Sequence, residues 1–169
     1  MESGAKWIDI FWLPSFYKNT KPGRHTKVMF LGEYKHSIDD KGRLTIPAKF
    51  RSNLASGLVL TRGFDKNLMV YPALGWKDLA ERIMAKSLTD RRVRDFRRRV
   101  FSGATDLTPD RQGRILIPSY LRDFSKIQGN VVVAGMYDYL EIWSDDLWRA
   151  QRDLIENPED EAYWEDLGF

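Results

Sequence analysis

Cysteine is absent from this chain of 169 residues, which excludes disulfides, thiol nucleophiles and cysteine-ligated zinc. Such a lack is compatible with a reducing cytosol. Histidine is nearly absent as well. His25 and His36 are the only two, and neither has further ligands at metal-site spacing. No apolar run reaches the length of a membrane span. The best apolar stretch, residues 7–17, contains Asp9 and Pro14, and Lys18-Asn19-Thr20-Lys21 follows where a signal peptide would carry small residues. No P-loop, Gly-x-Gly-x-x-Gly or nucleophile elbow occurs. Glu33 and Lys35 ahead of Asp39 resemble a metal-nuclease cluster only faintly, because short carboxylate–lysine pairs are common. An enzyme is therefore not expected, nor is any cofactor or metal.

What remains has the composition of a folded protein: 43% hydrophobic and 30% charged residues. Its charge is unevenly placed. Residues 153–169 hold seven acids and no Lys or Arg, so the other 152 residues carry 27 basic against 17 acidic side chains. A basic body with an acidic tail suits an anionic partner, or a solvated surface screened by its own tail.

The informative feature is a repeat. Asp39-Asp40-Lys41-Gly42-Arg43-Leu44-Thr45-Ile46-Pro47 returns 71 residues later as Asp110-Arg111-Gln112-Gly113-Arg114-Ile115-Leu116-Ile117-Pro118. In each copy the Asp can bond the backbone at a turn entry, and the Gly supplies positive φ. The alternation that follows is that of a half-buried strand, and Pro ends it. Lys41 and Arg43 thus fall at one hairpin tip, Arg111 and Arg114 at another. Arginine at such a tip can bond guanine bidentately or clamp a phosphate.

The repeat extends beyond the motif. Phe30, Gly32 and Arg51 match Phe101, Gly103 and Arg122. With one residue inserted, Val59, Gly63, Leu68, Val70, Tyr71 and Trp76 match Val131, Gly135, Leu140, Ile142, Trp143 and Trp148. Two copies do not make a solenoid. They read as a duplicated half-domain of about four short strands, and two such halves are needed to cover each other's apolar faces.

Along the chain, residues 1–28 are basic and aromatic-rich, have no repeat partner and read as an appended extension. The alternative is an extra DNA-binding arm. A first strand is expected over residues 33–38, a short helix over 48–54, and strands over 58–61 and 68–71. Residues 74–101 predict two helices that break near Leu88-Thr89-Asp90, with Thr89 or Asp90 as cap. The second half repeats the pattern: a helix near 119–124, strands over 131–134 and 139–143, and a closing helix capped by Ser144 and running to about Ile155. An acidic tail follows. The densest basic run, Arg91 to Arg99, shares its helix with Val93, Phe96 and Val100. Most of its arginines then lie on a solvated face, with Arg97 flanking the apolar stripe and free to pair across a subunit boundary. Trp76, Trp143, Trp148 and Tyr71 read as packing residues. Phe64 alone suits a base-stacking role.

Phe30-Leu31-Gly32-Glu33-Tyr34 leading into the first motif, the second motif, and the Arg-rich helix ahead of Phe101-Ser102-Gly103-Ala104 together resemble the MraZ family of bacterial transcriptional regulators. The resemblance covers residue 29 to about residue 157. It implies an α+β, mainly β fold: a pseudo-two-fold, swapped-hairpin, AbrB-like β-barrel built from two tandem half-repeats and flanked by helices. The organisation would be an extension over 1–28, a first half with linker helices over 29–101, a second half with its closing helix over 102–155, and a tail over 156–169. The resemblance also implies a cytoplasmic, nucleoid-associated protein. It would bind short direct repeats of double-stranded DNA in the promoter of the division and cell wall gene cluster, as a homo-oligomeric ring of about eight or more subunits whose linkage raises avidity. Arg43 and Arg114 match the signature arginines, Lys41 and Arg51 match basic positions beside them, and Arg122 is the weaker counterpart of Arg51. Asp39, Gly42, Asp110 and Gly113 are assigned to shaping the turns. Arg111 and Gln112 depart in detail from the first copy, so the two hairpins need not contribute equally. The alternative is a ring-forming scaffold whose basic patches bind acidic partners without reading DNA sequence.

Overall fold

A computed structural model describes residues 29–157; the extension over 1–28 and residues 158–169 of the tail lie outside the described residues. The first half contributes β1 (Phe30–Ser37), β2 (Arg43–Thr45), α1 (Ala48–Leu54), β3 (Leu58–Arg62) and β4 (Leu68–Pro72), followed by α2 (Ala73–Met84) and α3 (Arg91–Ser102). The second half contributes β5 (Thr105–Leu107), β6 (Arg114–Leu116), α4 (Ser119–Ser125), β7 (Asn130–Tyr137), β8 (Leu140–Ser144) and α5 (Asp145–Glu156).

Among the described residues, eight strands form two sheets, and every pairing is antiparallel. The six-stranded sheet has the order β1-β7-β8-β4-β3-β5, and β2 pairs with β6 in a two-stranded ribbon. That order exchanges strands between the halves. β1 of the first half pairs with β7 of the second over eight residues, Phe30 opposite Tyr137 to Ser37 opposite Asn130. β5 of the second half pairs with β3 of the first. The eight-residue register explains why β1 begins three residues before the expected 33: the partner strand, rather than local alternation, sets its length.

One sheet face packs on the ribbon and the short helices. Leu58, Leu60, Leu68, Val70, Val131, Val133, Leu140 and Ile142 form one buried cluster with Leu44, Ile46, Ile115, Ile117, Phe50, Leu54 and Leu121. The Phe50 ring is clamped edge-on by Phe30 and Tyr34, at 5.2 and 5.1 Å between centroids. On the other face, α2 and α3 lie on the β3 and β4 side and α5 on β7 and β8. There Tyr71 stacks on Tyr139, Trp76 meets Phe101 edge-on, and Trp143 packs against Trp148. Helix ends follow local chemistry. Asp90 caps α3 by accepting from the Arg92 N–H, and Ser144 caps α5 by accepting from Leu147. α1, α2 and α4 each start behind a proline, whose fixed φ suits helix entry.

Two expectations are corrected. The barrel does not close: β1 and β5 are the edges of an open sheet. β2 and β6 are three residues long and end before Ile46-Pro47 and Ile117-Pro118, where proline cannot extend a ladder. They are too short to join both edges. Nor is each motif a self-contained hairpin. β2 meets its own β1 region at one isolated bridge, Ile38 to Leu44, and its full ladder is with β6 of the other half.

Candidate nucleic-acid interface

The interface is built from the two turns and the ribbon between them. Asp39 Oδ1 accepts from the backbone N–H groups of Lys41 and Arg43 at 3.0 and 2.9 Å, and Asp39 Oδ2 accepts from Arg43 Nε at 2.7 Å. The second copy repeats the pattern: Asp110 Oδ1 accepts from the N–H groups of Gln112 and Arg114, and Oδ2 from Arg114 Nε at 2.8 Å. Gly42 and Gly113 carry φ of +79° and +73°, the left-handed region that costs a side chain roughly 1–2 kcal/mol. Their N–H groups close the turns onto the Asp39 and Asp110 carbonyls at 2.8 Å each.

These bonds also fix the ionisation of the carboxylates. The backbone N–H of Arg43 is the main cause that holds Asp39 below its ordinary value, and the Arg114 side chain is the main cause that holds Asp110 down to about 2. Both are ionised at neutral pH and orient their arginines.

The ribbon places Arg43 opposite Leu116, Leu44 opposite Ile115 and Thr45 opposite Arg114. Leu44 and Ile115 are 1% and 2% exposed and point into the core. Strand alternation therefore turns Arg43, Thr45, Arg114 and Leu116 to the outer face, where Leu116 is 54% exposed. Arg43 and Arg114 are diagonal neighbours on that face, about 7–8 Å apart by general sheet geometry. Gly42 faces Ile117 and Gly113 faces Ile46, each pair joined by a backbone hydrogen bond of 2.9 and 2.8 Å. The turns thus cap opposite ends of one ribbon, about 13 Å apart at 3.3 Å per residue. Asp40 and Lys41 are exposed at the first tip, Arg111 and Gln112 at the second.

Arg51 and Arg122 hold equivalent places in α1 and α4. Arg51 Nε donates to the Ile46 carbonyl at 2.9 Å and Arg122 Nε to the Ile117 carbonyl at 3.2 Å. His36 lies near Arg51; burial chiefly, and then the Arg51 charge, lower its pKa, so it stays neutral at pH 7 and adds no competing cation. Arg122 is the residue that the motif itself does not reveal. Its signal in the sequence is the 71-residue offset from Arg51.

The Arg-rich helix is differently occupied. Arg97 Nη2 donates to the carbonyls of Ile83, Met84 and Lys86 and so caps the C-terminus of α2. Arg94 bonds the Leu88 and Thr89 carbonyls, and Arg99 bonds Gly63. Arg91 and Arg98 pair with Asp95, and Arg92 pairs with Asp90. Phe64, the one ring suited to stacking a base, stacks on Phe96 and has the Arg99 guanidinium 5.4 Å from its centroid. Glu33 pairs with Arg152 of α5 at 3.7 Å, apart from the Asp39–Arg43 pair. Among the described residues no group of three or more His, Asp or Glu could hold a metal ion, and no helix is long and apolar enough to cross a membrane.

Comparison with known proteins adds one family. The model described as "MraZ protein, putative antitoxin-like" matches residues 29–99 and again 100–167. The second match takes in residues 158–167 of the acidic segment, beyond the reach of the motif-based resemblance. A relative from Herpetosiphon aurantiacus is 54% identical over 125 residues, 74% of this chain and 87% of the relative. One from a Roseiflexus species is 50% identical over 121 residues, 72% and 85%. One from Halothermothrix orenii is 46% identical over 143 residues, 83% of this chain and the relative's whole length. All three bear the name Transcriptional regulator MraZ.

Proposed function

Since the chain belongs to the MraZ family, we propose that it is a non-catalytic, sequence-specific DNA-binding regulator of transcription that meets the duplex with the outer face of the β2–β6 ribbon and the turns at its ends. The observation that carries the reading is the alignment of Arg43 and Arg114 on one solvent face, each oriented by a carboxylate. Arg43 reads a base edge. Lys41, Arg111, Arg114 and Arg51 neutralise phosphates or read bases, while Asp39, Gly42, Asp110 and Gly113 shape the turns. The exchange of β1 and β5 supports reading residues 29–101 and 102–155 as two AbrB-like swapped-hairpin halves.

One bidentate arginine contact discriminates by about 1–3 kcal/mol, too little for regulation from a single site. The protein therefore acts as a homo-oligomeric ring of about eight or more subunits on short direct repeats, where linkage raises avidity without new contacts. The targets are promoter repeats of the division and cell wall gene cluster, and the protein works in the cytoplasm on the nucleoid.

The test is binding to a duplex with short direct repeats against a scrambled competitor, for wild type and Arg43→Ala. Repeat-specific binding that disappears in the variant is the expected result. Equal, weak binding of wild type to both duplexes would leave a basic scaffold instead.

A further inference from the structure

The basic side chains sort into two groups. The arginines of α3 direct guanidinium nitrogens at carbonyls and carboxylates of their own chain. Arg51 and Arg122 use only Nε, and their Nη atoms have no hydrogen-bond partner among the described residues. Their position is unusual. A Cβ placed on Gly113 would lie 2.6 Å from Arg51 Nε and 2.7 Å from its Cδ, and one placed on Gly42 would lie 3.0 Å from Arg122 Cζ. Each arginine therefore leaves the helix of its own half and lies across the turn of the other. The anchoring carbonyls make the same crossing. Ile46, which holds Arg51, donates its N–H to Gly113 of the second turn; Ile117, which holds Arg122, donates to Gly42 of the first.

We propose that the two turns are completed reciprocally, Arg51 joining Arg111 and Arg114 at the second turn and Arg122 joining Lys41 at the first, to form two composite sites for phosphodiester groups of the DNA backbone, while Arg43 is left to read a base. This rests on the ribbon being the DNA-facing surface. The chemistry suits the ligand. A guanidinium anchored through Nε keeps its paired Nη donors for two phosphate oxygens. Anchoring before binding also reduces the side-chain entropy lost when the phosphate arrives. Gly42 and Gly113 then serve twice: they allow positive φ, and they leave the space in which the opposite arginine lies. Neither half holds a complete site, because each turn and its arginine come from different copies of the repeat.

The full chain is titrated with the repeat duplex and with a scrambled duplex at several salt concentrations. Arg51→Ala and Arg122→Ala should each reduce the log–log salt slope by about 0.9, the value of one phosphate contact, on both duplexes alike. Double-variant cycles assign the partners. Arg122→Ala should be non-additive with Lys41→Ala and additive with Arg111→Ala, and Arg51→Ala the reverse. Arg51→Lys and Arg122→Lys, which keep the charge without the fork, should retain most of the slope with weaker affinity, and they replace the alanine variants if thermal unfolding shows those to be unfolded. Unchanged slopes in folded Arg51 and Arg122 variants would overturn the proposal, as would coupling confined to residues of the same half. If Arg43→Ala, Lys41→Ala and Arg111→Ala also leave binding unchanged, the ribbon reading itself fails; if those variants lose binding while the helix arginines do not, only the reciprocal sites fail.

Discussion

At the first turn the exposed tip reads Asp40-Lys41, and at the second it reads Arg111-Gln112. The frames beneath them are the same: an Asp that takes two backbone N–H groups and an arginine Nε, and a Gly at positive φ. The arginines are gripped alike, Arg43 Nε meeting Asp39 Oδ2 at 2.7 Å and Arg114 Nε meeting Asp110 Oδ2 at 2.8 Å; the Arg43 side chain is 32% exposed and that of Arg114 26%. The comparison separates two demands within one motif. Backbone geometry constrains Asp and Gly, while the tip between them is free to set charge and base preference. The first tip offsets its lysine with a carboxylate. The second has no acid and offers Arg and Gln, the side chains that pair bidentately with guanine and adenine.

The comparison breaks most severely where both turns share a support. Leu44 and Ile115 face each other in the core beneath the ribbon, so Leu44→Ala should cost about 2–5 kcal/mol and loosen both turns, not only its own. Denaturant unfolding gives the loss, and amide exchange at Gly42 and Gly113 shows whether it is shared. Next in size, Arg43→Ala and Arg114→Ala should each weaken repeat binding by about 1–3 kcal/mol. Base-substituted duplexes sharpen the contrast: loss of Arg43, the proposed base reader, should relax discrimination more than loss of Arg114.

Gly113→Ala should destabilise more than Gly42→Ala, although both glycines have left-handed φ, because the new methyl meets Arg51 at 2.6 Å but Arg122 only at 3.0 Å. Expected losses are roughly 1–2 kcal/mol for the backbone alone, read from unfolding midpoints. Exchanging tip charge is milder. Asp40→Arg should steepen the salt slope by up to about 0.9 and tighten scrambled DNA as well, measured by titration.

Much of this was legible in the sequence because it is local. Turn chemistry placed Asp39 and Gly42, the stop at Pro47 placed α1, and Asp90 marked the break between α2 and α3. What was not legible depends on partners distant in the chain. Nothing near Leu44 says that its strand pairs with Ile115 of the other half rather than with its own β1. Nothing near Arg97 says that the end of α2 will lie within its reach. Amphipathicity showed which side of α3 was apolar, but not that its polar side would be occupied by carbonyls and carboxylates of the same chain.

The smallest effect concerns acid. Asp110 is held down to about 2 from 3.8, and Asp39 is lowered from its ordinary value as well. A carboxylate with a depressed folded-state pKa contributes stability that is present above the ordinary value and is lost as pH falls through the depressed one. Both turns should therefore keep their charge below the ordinary carboxylate range, with Asp110 titrating near 2 and Asp39 below its ordinary value. Carboxyl NMR titration reads both.

The most direct test of the shared ribbon is the affinity of the double variant Arg43→Ala/Arg114→Ala for the repeat duplex, with its unfolding temperature measured in parallel. The double variant should keep its unfolding transition and bind repeats no better than scrambled DNA. Repeat-specific binding at wild-type strength in that variant would contradict the account, because recognition would then lie on another surface of the molecule.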